Sequence, residues 1–429
     1  MAVTADQATR PRIPGQRTTA PRVTLATRLR AFDRPLTSYY LVLTASLLLI
    51  GLGLVMVLSA SSIESYQTFG SVFSIAQKQA IWVALGLPLM WATSRLPISM
   101  FRRMALPALF VSIGGLMLVL VPGLGHTVNG NRNWISFGGP LQLQPSEASK
   151  LALVLFGAHI LARKQRLLDR WSHLMIPLVP AAGAVVFLVM IGGDLGTTVV
   201  LLAILLALLF FAGTPMRFFG IFGAFALSMV LFFIYSQPYR MRRVTSFMHP
   251  FQTYHDSGWQ GAQSIFALAD GGFTGVGLGA SREKWGYLPE AHTDFIYAII
   301  GEELGLVGAL GVLVLFATLV FAGFRIAARS RDMFTTLAAA AITTWIAVQA
   351  AVNIGAVLGL LPIAGLPLPL VSYGGSALLP VMVALGMLLS FARREPGAAA
   401  ALRARGPHPL RVAVGRVFRR GDVRRRLRK

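Results

Sequence analysis

DFIYAIIGEELGLVGALGVLVLFATLVFAGFRIA, residues 294–327, decides what kind of protein this is. After Asp294, Glu302 and Glu303 near its start, the stretch is apolar up to Arg325. A helix rises about 1.5 Å per residue, so roughly 20 apolar residues cross a hydrocarbon core of about 30 Å. The stretch is long enough, and it is not alone. Similar runs fall near 38–60, 78–96, 104–122, 147–163, 173–191, 195–213, 216–236, 333–360 and 376–393. Run 147–163 is short and amphipathic. The pattern predicts an all-α polytopic membrane protein with about ten transmembrane helices and large outer loops.

Composition agrees. The 429 residues are 55% hydrophobic and 13% charged, where a soluble domain carries about 25% charged residues. The chain has no cysteine, which excludes disulfides and thiol catalysis. The net charge of +23 would suggest nucleic acid in a soluble protein. Here it is concentrated in the tails and short loops, which points to an anionic membrane surface and away from nucleic acid. Residues 1–37 read as a disordered basic tail, 38–393 as the membrane domain, and 394–429 as a second basic tail. Basic residues mark the cytoplasmic side. Arg95, Arg102, Arg103, Arg163, Lys164, Arg217, Arg325 and Arg329 fall on one side together with both tails. Both termini are therefore expected in the cytoplasm, with long loops at about 123–146 and 237–293 on the outer face.

The polar residues that could carry chemistry crowd that outer face. NGNRNWISFGGPLQLQPSEASK, 129–150, is turn-rich and runs into a helix start. Glu147 and Lys150, three apart, share a helical face; a cation at the membrane boundary needs a partner, either Glu147 or a group on another helix such as Asp294. The loop 238–295 carries Arg240 and Arg243, then Gln263 and Ser264. A glycine run, Gly271 to Gly279, follows and leads to Arg282 and Lys284. Such a run is either a flexible turn or a nest of N–H groups for an anion. Asp294, with Glu290 and His292 beside it, is either a helix N-cap or a general base. Counted along a straight helix, Glu302 and Glu303 lie about 12–14 Å further on and suit pairing with polar groups of a neighbouring helix. Asp194 suits a turn or helix cap. GLLPIAGLPLPLVSYGGSAL, 359–378, contains Ser372 and is broken by Pro and Gly. Backbone of that kind is tolerated only under cover of protein or beside a water-filled cavity, so it is expected to line the same cavity.

QPSEASK at 144–150, the loop from PYR at 238–240 to YLPEAHTDFIYAIIGEELG at 287–305, and GLLPIAGLPLPLVSYGGSAL together resemble the SEDS family of bacterial cell-wall polymerases, which includes FtsW, RodA and SpoVE. The likeness runs from about 38 to 394, and EAHTDFIYAIIGEELG, FDRPLTSYY and the basic tails look most like the FtsW branch of high-GC Gram-positive bacteria. The resemblance implies a ten-helix peptidoglycan glycosyltransferase of the cytoplasmic membrane at the division septum. Its substrate would be lipid II, and Asp294 would be its essential acid. It also implies a class B penicillin-binding protein, an FtsI-like transpeptidase, as partner, with regulators of the FtsQ, FtsL and FtsB type. In that reading Arg132, Lys150, Arg240, Arg243 and Lys284 clamp the pyrophosphate leaving group, and Glu147, Gln263, Ser264, Glu290, His292 and Ser372 line the substrate site. A divalent cation such as Mg or Mn could assist, although no metal-ligand spacing is present. A lipid II flippase, a RodA-like elongation polymerase and a scaffold for the transpeptidase are the competing readings.

Overall fold

The computed structural model describes residues 35–128, 131–136, 142–167, 175–236, 241, 246–255, 258–398 and 400–401. Most of both basic tails, and Arg240 and Arg243, lie outside the described residues. Every apolar run is a helix. In chain order these are α1 Thr37–Phe69, α2 Ser74–Thr93, α3 Ile98–Leu120, α4 Pro145–Arg163, α5 Leu178–Ile191, α6 Leu195–Phe211 and α7 Met216–Tyr235. After α8, Trp259–Gly271, come α9 Ile296–Arg329, α10 Met333–Val357 and α11 Leu378–Ala392. By length and composition α1, α3, α9, α10 and the segment Gly375–Ala392 can each cross a membrane, and α5 and α6 are shorter apolar helices. Large apolar side chains point outward, with Phe110 68%, Val111 75% and Val307 68% exposed. Water would not tolerate such a surface, but lipid does. The protein is an all-α polytopic membrane protein.

α10 is the centre. It packs against α4, α6, α9 and α11, and Ala338, Ala339, Ala340 and Ala341 are fully buried along it. Small side chains let neighbouring membrane helices approach closely, which replaces the hydrophobic drive that lipid does not supply. Side-chain contacts bring the C-terminal halves of α1 and α10 together with the N-terminal ends of α2, α4, α6, α9 and α11 at one end of the bundle. Ser59 meets Glu303, Gln79 the Ser372 carbonyl, Gln144 both Ser376 and Asp194, and Asn353 the Asp294 carbonyl.

Three features differ from the sequence reading. The turn-rich 123–146 segment holds a small antiparallel sheet, β1 Gly125–Val128, β2 Asn131–Ser136 and β3 Gln142–Leu143, in the order β1-β2-β3. The 237–293 loop contains the amphipathic helix α8. Finally, α9 is not one rod. Gly305 has φ 66 and ψ −164 inside it. The Tyr297 hydroxyl donates to the Ala309 carbonyl at 3.2 Å, although the two residues would stand about 18 Å apart along a straight helix. Residues 296–304 thus fold back beside the start of 306–329. The spacing of about 12–14 Å from Asp294 to Glu302 and Glu303 lies within the first, unbroken part of the helix; what the break at Gly305 changes is the direction of the axis beyond them.

Candidate active site

Asp294 lies two residues before α9. It is not the helix cap, because the N-cap position is Phe295. Its side chain is partly exposed beside a cleft formed by Phe295, by Val352, Asn353 and Ala356 of α10, and by Ile363, Ala364, Gly365 and Leu366. The Pro- and Gly-broken stretch therefore does line the cleft. It is held there by buried Leu366, Leu368, Leu370 and Val371. The Asp294 carbonyl accepts from Asn353 Nδ2 at 2.8 Å, and the same amide donates to the Leu366 carbonyl at 2.7 Å.

One turn earlier on α10, Gln349 donates to the Pro367 carbonyl at 2.9 Å. Its Oε1 accepts from Lys150 Nζ and from Trp345 Nε1, both at 2.9 Å. Lys150 is fully buried and pairs with Glu147 at 2.6 Å, while the Trp345 ring lies 5.3 Å away. Glu147 Oε2 has no hydrogen-bond partner among the described residues. The described contacts of Lys150 do not include Asp294, so the direct Lys150–Asp294 pairing is corrected. A buried cation takes the nearest acceptor, and Glu147, one turn away on its own helix, is nearer. Asp194 caps α6, accepting from Thr197 N at 2.8 Å, and also holds Gln144 and Ser146 at the start of α4.

The remaining residues expected at the site are occupied locally. Ser372 accepts from Leu368 N at 2.8 Å, and its carbonyl accepts from Gln79. His292 Nδ1 lies 3.3 Å from Glu64 Oε2 without hydrogen-bond geometry, and its carbonyl accepts from Tyr373 N. Glu290 takes the Thr293 hydroxyl at 2.6 Å. Ser264 donates to the Gly261 and Val357 carbonyls, and Gln263 is buried on α8. Arg132 on β2 donates to the Val121 carbonyl at 2.7 Å.

Lys284 belongs to a second buried cluster, at the α9 break. Its Nζ donates to the Gly279 carbonyl at 2.6 Å and lies 3.4 Å from Glu303 Oε1. Glu303 also takes the Ser59 hydroxyl of α1 at 2.6 and 2.7 Å. Glu302 takes the Ser281 hydroxyl and, at 2.7 Å, Arg282 N. Glu303 has the neighbouring-helix partner expected of it, Ser59 of α1, whereas the partners of Glu302 come from the loop, Ser281 and Arg282 N. The glycine run is not an anion nest. Val276 N and Gly277 N donate to the Glu302 and Glu303 carbonyls, and Leu306 N donates to the Gly272 carbonyl, so the run seals the helix break. Lys150 and Lys284 share no partner, and the five-cation clamp read from the sequence is not assembled in one place among the described residues. Nearby, burial together with the charges of Glu302 and Asp270 pushes the Glu283 carboxyl from 4.5 up to about 7.

Comparison with known proteins fixes the lineage. The family model described as "Cell cycle protein", covering FtsW, RodA and SpoVE, matches residues 39–396. The chain belongs to this family. Within it, the chain is 46% identical over 372 residues to the probable peptidoglycan glycosyltransferase FtsW of Mycobacterium tuberculosis, covering 86% of this chain and 71% of that one. It is 37% identical to the stage V sporulation protein E of Bacillus subtilis, covering 84% and 98%. A chain of a peptidoglycan synthase complex that coordinates polymerisation and crosslinking superposes with TM-score 0.68 at 29% identity, covering 82% and 96%. Thermus thermophilus RodA superposes with TM-score 0.61 at 26% identity, covering 83% and 97%. In this FtsW/RodA/SpoVE chain, sequence reasoning missed Gln349 and Asn353. Their signal was available: two amides four apart in the otherwise apolar WIAVQAAVNIG, 345–355.

Proposed function

We propose that the chain is a peptidoglycan glycosyltransferase that polymerises lipid II during septal wall synthesis. The observation that carries this reading is the partly exposed Asp294 carboxylate beside a cleft at the loop-bearing end of the bundle. Asp294 takes the proton from the acceptor sugar hydroxyl as that oxygen attacks the donor's anomeric carbon. The bond to the lipid pyrophosphate breaks, and the leaving group departs with the electron pair. A single displacement of this kind inverts the anomeric centre. Arg240 and Arg243 neutralise the pyrophosphate, since Lys150 and Lys284 are engaged inside the protein. Among the described residues no three His, Asp or Glu side chains stand together as metal ligands. A divalent cation would therefore be carried mainly by the substrate phosphates.

The work is done at the outer face of the cytoplasmic membrane, with both termini in the cytoplasm. The partner is a class B penicillin-binding protein that cross-links the product, with regulators of the FtsQ, FtsL and FtsB type. The relatedness to a polymerising and crosslinking complex supports that pairing. The test is full-length protein reconstituted in liposomes with its partner transpeptidase and labelled lipid II. Glycan polymer is the expected product. Lipid II crossing the bilayer without polymer would replace this reading with a flippase, and neither outcome would leave a scaffold.

A further inference from the structure

Asn353 and Gln349 form a polar ladder on the face of α10 that looks toward the cleft. Both are buried, with 3% and 1% exposed. An amide in the middle of a bundle is costly unless its hydrogen bonds are made. Asn353 spends both amide protons on carbonyls outside its own helix, those of Asp294 and Leu366. Gln349 reaches the next carbonyl, Pro367, and receives Lys150 Nζ on its other atom. The two rungs therefore join the buried Lys150–Glu147 pair of α4, the 366–367 backbone and the Asp294 backbone in one chain of contacts. Residue 365 is held close as well: a Cβ at Gly365 would stand 3.8 Å from Asp294 Oδ2. Lys150 and Asp294 are connected, but through α10.

We propose that Asn353, backed by Gln349, is the positioning residue that sets the place of Asp294 in the cleft. Asn353 borders the cleft but acts through the Asp294 backbone: both its amide protons are spent on carbonyls, and its Oδ1 is buried. This inference rests on the reading of Asp294 as the general base. Misplacing a reacting group by about 1 Å costs up to roughly 100-fold in rate. Asn353→Ala is accordingly expected to lower kcat for lipid II polymerisation by roughly 10- to 100-fold, with KM within about twofold. Asn353→Asp keeps the shape but sets a carboxylate against two carbonyl oxygens, so it should be as slow as Ala. Asn353→Gln keeps a two-proton donor and should recover part of the rate. Gln349→Leu should lower kcat less than Asn353→Ala does. The assay uses the full chain with its partner, and each variant is checked for a monodisperse, folded preparation. Should Asn353→Ala not fold, the folded Asp and Gln variants decide by the same kcat comparison. Wild-type kcat in Asn353→Ala or Asn353→Asp overturns the proposal, as does a loss carried by KM. If those variants are wild-type while Asp294→Asn is dead, only the positioning role falls. If wild-type protein makes no polymer, the glycosyltransferase reading falls with it.

Discussion

Two buried lysine–glutamate pairs stand at the same end of this bundle, and they differ in what surrounds them. Around Lys150 and Glu147 the polar contacts lead outward, through Gln349 and Asn353, to a cleft with a partly exposed carboxylate. Around Lys284 and Glu303 they lead inward. Serine hydroxyls, backbone N–H groups and a glycine loop close over the acids. In the sequence Glu147 and Lys150 are three residues apart, while Lys284 and Glu303 are nineteen apart and only the fold pairs them. The structure separates a candidate site from a sealed joint by whether the polar chain ends at accessible space.

The largest effect that tests this contrast is on turnover. Asp294→Asn should lower polymerisation by roughly 100- to 10,000-fold, the usual worth of a general base. The fold should be kept, because Asn is nearly isosteric with Asp and Asn353 still holds the backbone carbonyl of residue 294. Glu302→Gln, at the sealed joint, should stay within a few-fold of wild type in the same glycan assay. Equal losses in the two variants would erase the distinction.

Stability separates the two lysines next. Lys150→Met leaves Glu147 as a buried, unpaired charge and should cost about 3–5 kcal/mol. Lys284→Met leaves Glu303 with Ser59 and the Ser281 N–H, and should cost about 1–2 kcal/mol. Unfolding of the purified chains in detergent measures both, and a reversed order would mean that the joint, not the site, carries the more strongly buried charge. Gly305→Ala puts a side chain at φ +66, ψ −164 and sets its Cβ 2.4 Å from Gly275 N. Backbone strain alone makes this about 1–3 kcal/mol, again by detergent unfolding, and no loss would mean the break is not fixed by glycine.

The smallest effect is pH dependence at the joint. The Glu283 carboxyl is raised from 4.5 to about 7 in the folded protein, so the folded state holds its proton longer than the unfolded chain. Its contribution is fully present below about pH 4.5 and is lost as pH rises through about 7. Glu283→Gln should flatten that fall in melting temperature between pH 5 and 7. An unchanged slope would assign it to another group.

The membrane helices were legible because hydrophobic length is a one-dimensional property: 38–60 or 333–360 needs no partner to be recognised. Asp294 was legible from its place before an apolar run and from the motif around it. The rest was not legible, because partner choice is three-dimensional. Lys150 had Glu147 and Asp294 as possible partners, and only the fold shows that Gln349 stands between the second pair. Gly271 to Gly279 read as an anion nest because glycine reports permitted backbone angles, not what the backbone touches. The sheet at 125–143 and helix α8 are short and weakly patterned, and tertiary contacts decide them.

The fold-back at Gly305 also bears on how the protein is made. Insertion into the membrane proceeds from the N-terminus, and 306–329 is by itself long enough to span. Residues 294–304 precede that span in the chain, yet the Asp294 carbonyl is held by Asn353, near the end of α10. The segment can reach its final seat only after α10 has been threaded and 363–368 has returned to cover it. Biogenesis therefore closes the candidate site only after later segments are in place, and a chain released before residue 363 would carry Asp294 without the Ile363–Leu366 wall of its cleft.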